Sequence, residues 1–526
     1  MGIYQDGVAI HQRGYGSANL EHSISITPST VFHIASLSKQ FTAVAAGLLA
    51  REGRISLDDP IRQYIPELPV HIAVTFRHII HHTSGLRDQW DLLRLAGWRH
   101  EDIKKTDDIL QLAVRQETLN FPSGARFQYI NTGYTLIGIA VERITGLSLR
   151  EYTSRFIFEP LGMSQTWFHD HYGEIVRNRA QAYSRDADSV IRINMPAYET
   201  VGPTGLFSTV EDFAQWEHNF IFPKVGDAEF IAQMLAPAKF DDGQPQQHGY
   251  GFGLVTGTYR GLETVEHAGG DAGYRSHYLR FPVERFAVAI FCNFSELKPG
   301  ELARRIADIC LSDRLSAPGS DFSNTPAWAG RAAGVSVLSA DELEAKVGLY
   351  RDSITGMTCR IKIKGSRLVL IGNTDVEYEL VGTGPERFQF SGIDAECIFE
   401  TESKMVVRYA GQVAAACERI EDELPAPVAL APADYVGTYC SDELDAQYRI
   451  ELSNQNLIMR RAKYPADTLE RLAGDEFSTK GEGFHVRFVR DHVGKVDGLV
   501  LTTERVWNAR FVRTSKQALV PTTNGR

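Results

Sequence analysis

The sequence predicts an α+β domain over residues 1–315, an antiparallel sheet with helices, followed by two small antiparallel β-barrels at residues 335–424 and 433–526. Three observations predict it. Ser316–Gly334 (SAPGSDFSNTPAWAGRAAG) and Pro425–Ala433 (PAPVALAPA) are rich in proline, glycine and small residues, as linkers are, and they cut the 526 residues into one large piece and two small ones. The small pieces look alike: Val347-Gly348-Leu349-Tyr350 returns 89 residues later as Val436-Gly437-Thr438-Tyr439, and Phe388 stands the same 89 residues before Phe477. The large piece has strand-like runs at both ends and helical periodicity between them.

The first residues, MGIYQDGVAIHQRG, read as a hairpin and lack the basic start and apolar stretch of a secretory signal. The start is abrupt, so an upstream element is expected to be missing. Phe41, Val44, Ala45, Leu48 and Leu49 fall at i, i+3, i+4, i+7 and i+8, which predicts an amphipathic helix ending before Gly53. Near the end of the piece SHYLRF and FAVAIFCNF flank Pro282-Val283-Glu284-Arg285, a strand, a turn and a strand. A sheet joining the two ends of the piece is the expectation. In the small pieces CRIKIKGSRLVL and YRIELSNQNLIM are strand pairs around Gly or Asn turns. Two copies make a domain duplication and not a solenoid.

Composition narrows the function classes. At 43% hydrophobic and 23% charged the chain is neither disordered, collagenous nor a coiled-coil rod, and a net charge of −11 leaves no nucleic-acid footprint. The longest apolar run, Phe41–Ala50, is about half a membrane span, so no span is expected. The six cysteines form no C-x-x-C pair and none precedes Cys292, which points to a reduced, cytoplasmic setting. Histidines gather at His78, His81 and His82 and at His169 and His171, but without H-E-x-x-H or carboxylates at ligand spacing, so no metal is expected. With no P-loop, dinucleotide fingerprint or G-x-S-x-G elbow, no cofactor is expected either. The expected partner is a small-molecule or peptide substrate, and the sequence leaves a homodimer open.

Three short patterns carry chemistry. Ser36-Leu37-Ser38-Lys39 places a hydroxyl and an amine one helical turn apart, with the helix N-terminus aimed at Ser36. A serine needs an adjacent base to attack a carbonyl, and a lysine can serve. Chance supplies on the order of one or two S-x-x-K matches in such a chain; the second, Ser295–Lys298, runs into Pro299 at a strand end. Tyr129-Ile130-Asn131, the sole Y-x-N, precedes an apolar helical run; a phenol can shuttle a proton and an amide can orient an amine, though a tyrosine packed at a helix entrance would look the same. His267-Ala268-Gly269-Gly270 puts glycines beside a strand, where N–H groups can face an oxyanion. A lone His-x-Gly means little, since His492-Val493-Gly494 is another.

Order and flanks change their weight. With VFHIASLSKQFTAVAAGLLAREGRISLDDPIRQYIPELP, FRHIIHHTSGLRD, YINTGYTLIGIAVERITG, FEPLGM, GPTGLFSTVEDFAQW and YGFGL in sequence, residues 1–312 resemble the serine β-lactamases, penicillin-binding DD-peptidases and their relatives. The lactamases carry Lys-Thr-Gly third and class A adds Ser-Asp-Asn; His267-Ala268-Gly269 and Tyr129-Ile130-Asn131 occupy those places here. A His-x-Gly third motif followed by two β domains resembles the bacterial D-aminopeptidases, which pair the catalytic domain with two lipocalin-like barrels. Family VIII carboxylesterases share the first two motifs but show Trp-Gly-Gly third and lack the barrels.

The resemblance implies a serine hydrolase forming an acyl-enzyme at Ser36, with Lys39 as base, Tyr129 as proton relay and Asn131 positioning Lys39 and the substrate amide. Backbone N–H groups of Ser36 and Gly270, beside Gly269, would form the oxyanion hole. His267 would stand for a permanent cation as a group titrating near neutrality, holding a substrate carboxylate less strongly. A loop from the last barrel, Gly474–Gly483, would bring Asp475, Glu476 or Glu482 to a substrate amine. The alternatives are a carboxylesterase, a related acyltransferase, or a cell-wall ligand sensor that is acylated without turnover.

Overall fold

The computed structural model describes residues 1–246, 248–316, 338–372, 377–391, 395–409, 412–420 and 432–514. Most of the two expected linkers lies outside the described residues. The chain divides into two compact units: Met1–Gln89 with His100–Thr325, and Trp90–Arg99 with Pro326–Arg526.

The first unit is built on an antiparallel sheet of six strands: β1 (Gly2–Gln5), β2 (Val8–Gln12), β3 (Val255–Tyr259), β4 (Leu262–Asp271), β5 (Tyr274–Phe281) and β6 (Phe286–Cys292), in the order β3-β4-β5-β6-β1-β2. Asp6 (φ 54°) and Gly7 (φ 75°) make the tight turn between β1 and β2, where both central residues must be left-handed. β1 pairs with β6 from Gly2↔Ala289 to Gln5↔Phe286, so the two ends of the domain do meet in one sheet. The alternation of GIYQ and FAVAIFC buries Tyr4, Ala287 and Ala289 against the helices on one face, while Ile3, Val288 and Ile290 join Ala303 and Ala307 of the helix Pro299–Cys310, and Leu311 just after it, on the other.

Helix α1 (Ser38–Arg51) follows a 3₁₀ turn at Ala35–Leu37. It departs from expectation: it is buried on every side from Ser38 to Gly47 and has no solvent face there. Phe41 packs on Trp216 and Phe158 with ring centroids 4.6 and 5.3 Å apart. On the opposite side a Cβ at Gly47 would stand 2.7 Å from Phe230 and 2.9 Å from Phe252. The alanines and Gly47 are small, and their size lets neighbours close in. Helix α2 (Thr132–Thr145) buries Thr132–Val141 and stops at Gly146, left-handed at φ 74°.

The second unit holds two closed eight-stranded antiparallel barrels, with strands running from Gly348 to Ile420 and from Gly437 to Thr514. The duplication extends to their inner devices. Tyr350 donates to Lys346 O at 3.0 Å and Tyr439 to Tyr435 O at 2.7 Å, both from fully buried rings. Phe388 meets Phe399 edge-on at 5.6 Å as Phe477 meets Phe488 at 5.5 Å. Arg419 and Arg513 donate to the carbonyls of Val347 and Val436. Trp90–Arg99, a stretch read with the large piece, belongs to this unit: Tyr448 donates to Leu95 O at 2.7 Å, Arg461 to Arg94 O at 2.9 Å and Thr503 to the Asp91 carboxylate at 2.7 Å. Among the described residues no helix is long and apolar enough to cross a membrane.

Candidate active site

Ser36 sits in the 3₁₀ turn, half-buried, directly after Ala35, whose φ of 50° is left-handed and costs a non-glycine residue roughly 1–2 kcal/mol. Neighbours hold the turn in that shape. Ser38 Oγ donates to Ala35 O at 2.5 Å, and Ser276 Oγ on β5 donates to Ile34 O at 2.7 Å. Over-determined strain of this kind fixes the direction of the side chain that follows it.

Lys39 lies one turn on and is fully buried. Its Nζ is 3.1 Å from Ser36 Oγ, 2.9 Å from Asn131 Oδ1 and 2.8 Å from Pro203 O, and it stands 4.7 Å from the centre of the Tyr129 ring. Asp88 decides which way the Asn131 amide faces. A carboxylate oxygen only accepts, and Asp88 Oδ2 takes both Asn131 N–H at 2.7 Å and Asn131 Nδ2 at 2.8 Å, leaving Oδ1 toward the lysine. Asn131 Oδ1 and Pro203 O are thus pure acceptors toward Lys39, and Ser36 Oγ is a hydroxyl.

The Tyr129 ring rests on His82, with centroids 4.3 Å apart, and lies 6.1 Å from His267. His267 Nδ1 is 2.7 Å from Ala268 O, which can only accept, so Nδ1 carries the hydrogen; Nε2 then accepts from Tyr250 Oη at 3.0 Å. Burial first, and Lys39's charge second, push the His267 pKa down to about 3. The expectation of a group titrating near neutrality is therefore corrected: His267 is a neutral imidazole locked in one tautomer, because desolvation, which the sequence does not show, outweighs its ordinary basicity.

β4 carries the third motif against the serine turn. A Cβ at Gly269 would stand 2.4 Å from Ile34 O and 2.2 Å from Ser276 Oγ, so only glycine lets strand and turn approach this closely. At Gly270 a Cβ would find ordinary contact with Arg275 at 3.6 Å, so close packing does not require the glycine there. Ser36, Lys39, Tyr129, Asn131, His267 and Gly269 thus converge, and Gly270 follows on the same strand.

Asp475, Glu476 and Glu482, the carboxylates expected to meet a substrate amine, are each matched by arginine inside the second unit: Asp475 by Arg490 at 2.6 Å, Glu476 by Arg351 at 2.6 Å and Glu482 by Arg461 at 2.8 Å. Of the clustered histidines, His81 donates to Tyr250 O at 2.9 Å and His78 Nε2 stands 3.2 Å from Asp241 Oδ1; among the described residues no group of three or more His, Cys, Asp or Glu is placed to hold a metal. Reading the sequence assigned no role to Asp88, Pro203 or Tyr250. Each stands at the edge of a flanking segment already noted, FRHIIHHTSGLRD, GPTGLF and YGFGL, but nothing in their spacing shows what they touch.

This chain is 28% identical to a D-aminopeptidase of Gluconobacter oxydans over 291 residues, 55% of this chain and 54% of that one, so it spans about half of that relative's length. It is 26% identical to a D-aminopeptidase of Brucella anthropi over 457 residues, 84% of this chain and 79% of that one. Among solved structures, the octameric penicillin-binding protein homologue from Pyrococcus abyssi superposes with a TM-score of 0.55 at 22% identity, covering 88% of this chain and 94% of that one. A penicillin binding protein from Bacillus halodurans gives 0.51 at 24% identity over 58% of this chain and 94% of its own. These two likenesses are of fold. The family model described as Beta-lactamase matches residues 1–311 and takes in the serine turn, its lysine, the Tyr-x-Asn loop and β4, and the chain belongs to that family.

Proposed function

We propose that this chain is a serine hydrolase that forms an acyl-enzyme at Ser36 and cleaves amide bonds of small peptides or amino-acid amides, in the manner of a D-aminopeptidase. The observation that carries it is Lys39 Nζ at 3.1 Å from Ser36 Oγ, with Asn131 Oδ1 and Pro203 O also within hydrogen-bond distance. Acting as a neutral amine, Lys39 gives two hydrogens to those two oxygens and turns its lone pair to the serine. Ser36 Oγ attacks the substrate carbonyl as its proton passes to Lys39. Backbone N–H groups of Ser36 and Gly270 receive the oxyanion. Tyr129, beside the new ammonium, hands a proton to the leaving amine and is resupplied from Lys39; water then repeats the sequence on the acyl ester. The neutral His267 offers no charge to a substrate carboxylate, which suits removal of an N-terminal residue. The same neutrality suits a plain ester, so carboxylesterase or acyl-transfer activity is the second reading.

The test is turnover of D- and L-alanine p-nitroanilides beside p-nitrophenyl butyrate, with Ser36→Ala as control. Cleavage of the D-anilide that disappears in the variant is the expected result. Ester turnover alone selects the second reading, and acylation without release selects a sensor. Activity surviving in Ser36→Ala overturns the mechanism.

A further inference from the structure

His267, Gly269 and Asp271 alternate along β4 and therefore share one face of it. Gly269 lies against Ile34 and Ala35, so the serine turn stands between the neutral His267 on one side and Asp271 on the other. Two residues of strand separate Gly269 from Asp271, about 6.7 Å. Among the described residues β3 pairs with β4 only as far as Glu266, and residues 267–271 pair with β5 alone, so their other edge is open to an extended ligand.

Asp271 is half-buried and unusual among the carboxylates discussed above. Its Oδ2 accepts from the hydroxyls of Tyr198 and Thr204, the latter at 3.2 Å, and Thr204 directly follows the Pro203 whose carbonyl holds Lys39. No cation of the described residues lies within ion-pair distance of it. Arg275, which follows its cross-strand partner Tyr274, turns its Nη1 to Ala272 O at 3.0 Å and Tyr274 O at 2.6 Å, and acts on Asp271 only as a charge beyond hydrogen-bond reach. The three barrel carboxylates each have an arginine; Asp271 has hydroxyls that fix one oxygen and leave the other.

We propose that Asp271 is the anchor for the substrate's free α-ammonium group, on the acyl side of the bond that Ser36 attacks. This rests on the hydrolase reading above and makes its substrate class specific: an amine one carbon from the scissile carbonyl. Extended along the open edge of β4, the acyl residue places its carbonyl at the serine turn and its ammonium toward Asp271, and no cation is offered at the His267 end. An ammonium–carboxylate hydrogen bond in a half-buried site is worth about 10- to 100-fold in affinity.

Calorimetric titration of Ser36→Ala, which is blocked in turnover, reads this directly. D-alaninamide is compared with D-lactamide, in which a hydroxyl replaces the ammonium. The expected result is at least about tenfold tighter binding of D-alaninamide, a preference lost in Ser36→Ala/Asp271→Asn and kept in Ser36→Ala/Glu476→Gln. No preference in Ser36→Ala, or one that survives Asp271→Asn, overturns the assignment. The first comparison needs no change at Asp271, so a misfolded double variant does not decide it. Anilide turnover by the wild type reports separately on the aminopeptidase reading.

Discussion

Lys39 and Arg280 are both buried basic side chains of the first unit, and they are held in opposite ways. Arg280 meets Glu217 with both ends of its guanidinium, at 3.0 and 3.2 Å; Glu217 also accepts from Tyr278, and Phe220 lies 4.1 Å from the guanidinium. That is a matched charge, oriented by a fork that fits a carboxylate. Lys39 instead has an amide oxygen, a backbone carbonyl and the serine hydroxyl within hydrogen-bond distance. The first arrangement gains nothing from a moving proton, and the proposed mechanism gives the second one to move. The carboxylates divide the same way, with Asp475, Glu476 and Glu482 matched by arginine and Asp271 by hydroxyls.

The largest test of that contrast removes each basic group's function in turn. Lys39→Met should lower kcat by roughly a thousandfold while leaving the melting temperature unchanged or raised, since an apolar chain of similar size replaces a buried amine. A large loss of stability would make Lys39 architectural. Glu217→Gln should do the reverse, costing about 3–5 kcal/mol by stranding Arg280, with kcat per folded molecule changed by less than about threefold. Chemical denaturation and active-site titration separate the two quantities.

A smaller effect follows from the buried histidines. Burial holds His33 and His81 at about 4 and, with Lys39's charge, His267 at about 3. The unfolded chain takes up these protons near pH 6.5 and the folded one does not. Stability is therefore full above that pH and falls on acidification toward pH 4, by up to ~1.4 kcal/mol per pH unit for each group. Melting temperature against pH should decline across that window, while kcat/KM shows no inflection from His267 between pH 5 and 8. A His267 inflection near neutrality, tracked by NMR, would contradict the locked tautomer. The smallest effect belongs to the barrels: Tyr350→Phe and Tyr439→Phe each lose one buried hydrogen bond and should cost about 1 kcal/mol apiece, equally in both copies, without touching kcat.

Much of this was legible in the sequence. The serine and lysine one turn apart, the Tyr-x-Asn loop before a helix and the glycines of β4 are local patterns, and the barrels announced themselves through the spacing of Tyr350 and Tyr439. Packing was not legible. The burial of α1 on all sides depends on Phe230 and Phe252 reaching Gly47 from far along the chain, and helical periodicity is silent about that. Asp88 acts on Asn131 from 43 residues away, and Tyr250 on His267 from 17. The ionisation of His267 depends on how completely these neighbours exclude water. Likewise Trp90–Arg99 looks continuous with its flanks, and only the contacts of Tyr448 and Arg461 show which unit it joins.

The central claim is that Lys39 makes Ser36 a nucleophile. Acid-quenching the enzyme during turnover of p-nitrophenyl butyrate and mapping peptides by mass spectrometry tests it most directly. A butyryl ester on Ser36, absent in Ser36→Ala and formed far more slowly in Lys39→Met, is the predicted result. A butyryl group on another residue, or acylation of Ser36 at an undiminished rate in Lys39→Met, would contradict it.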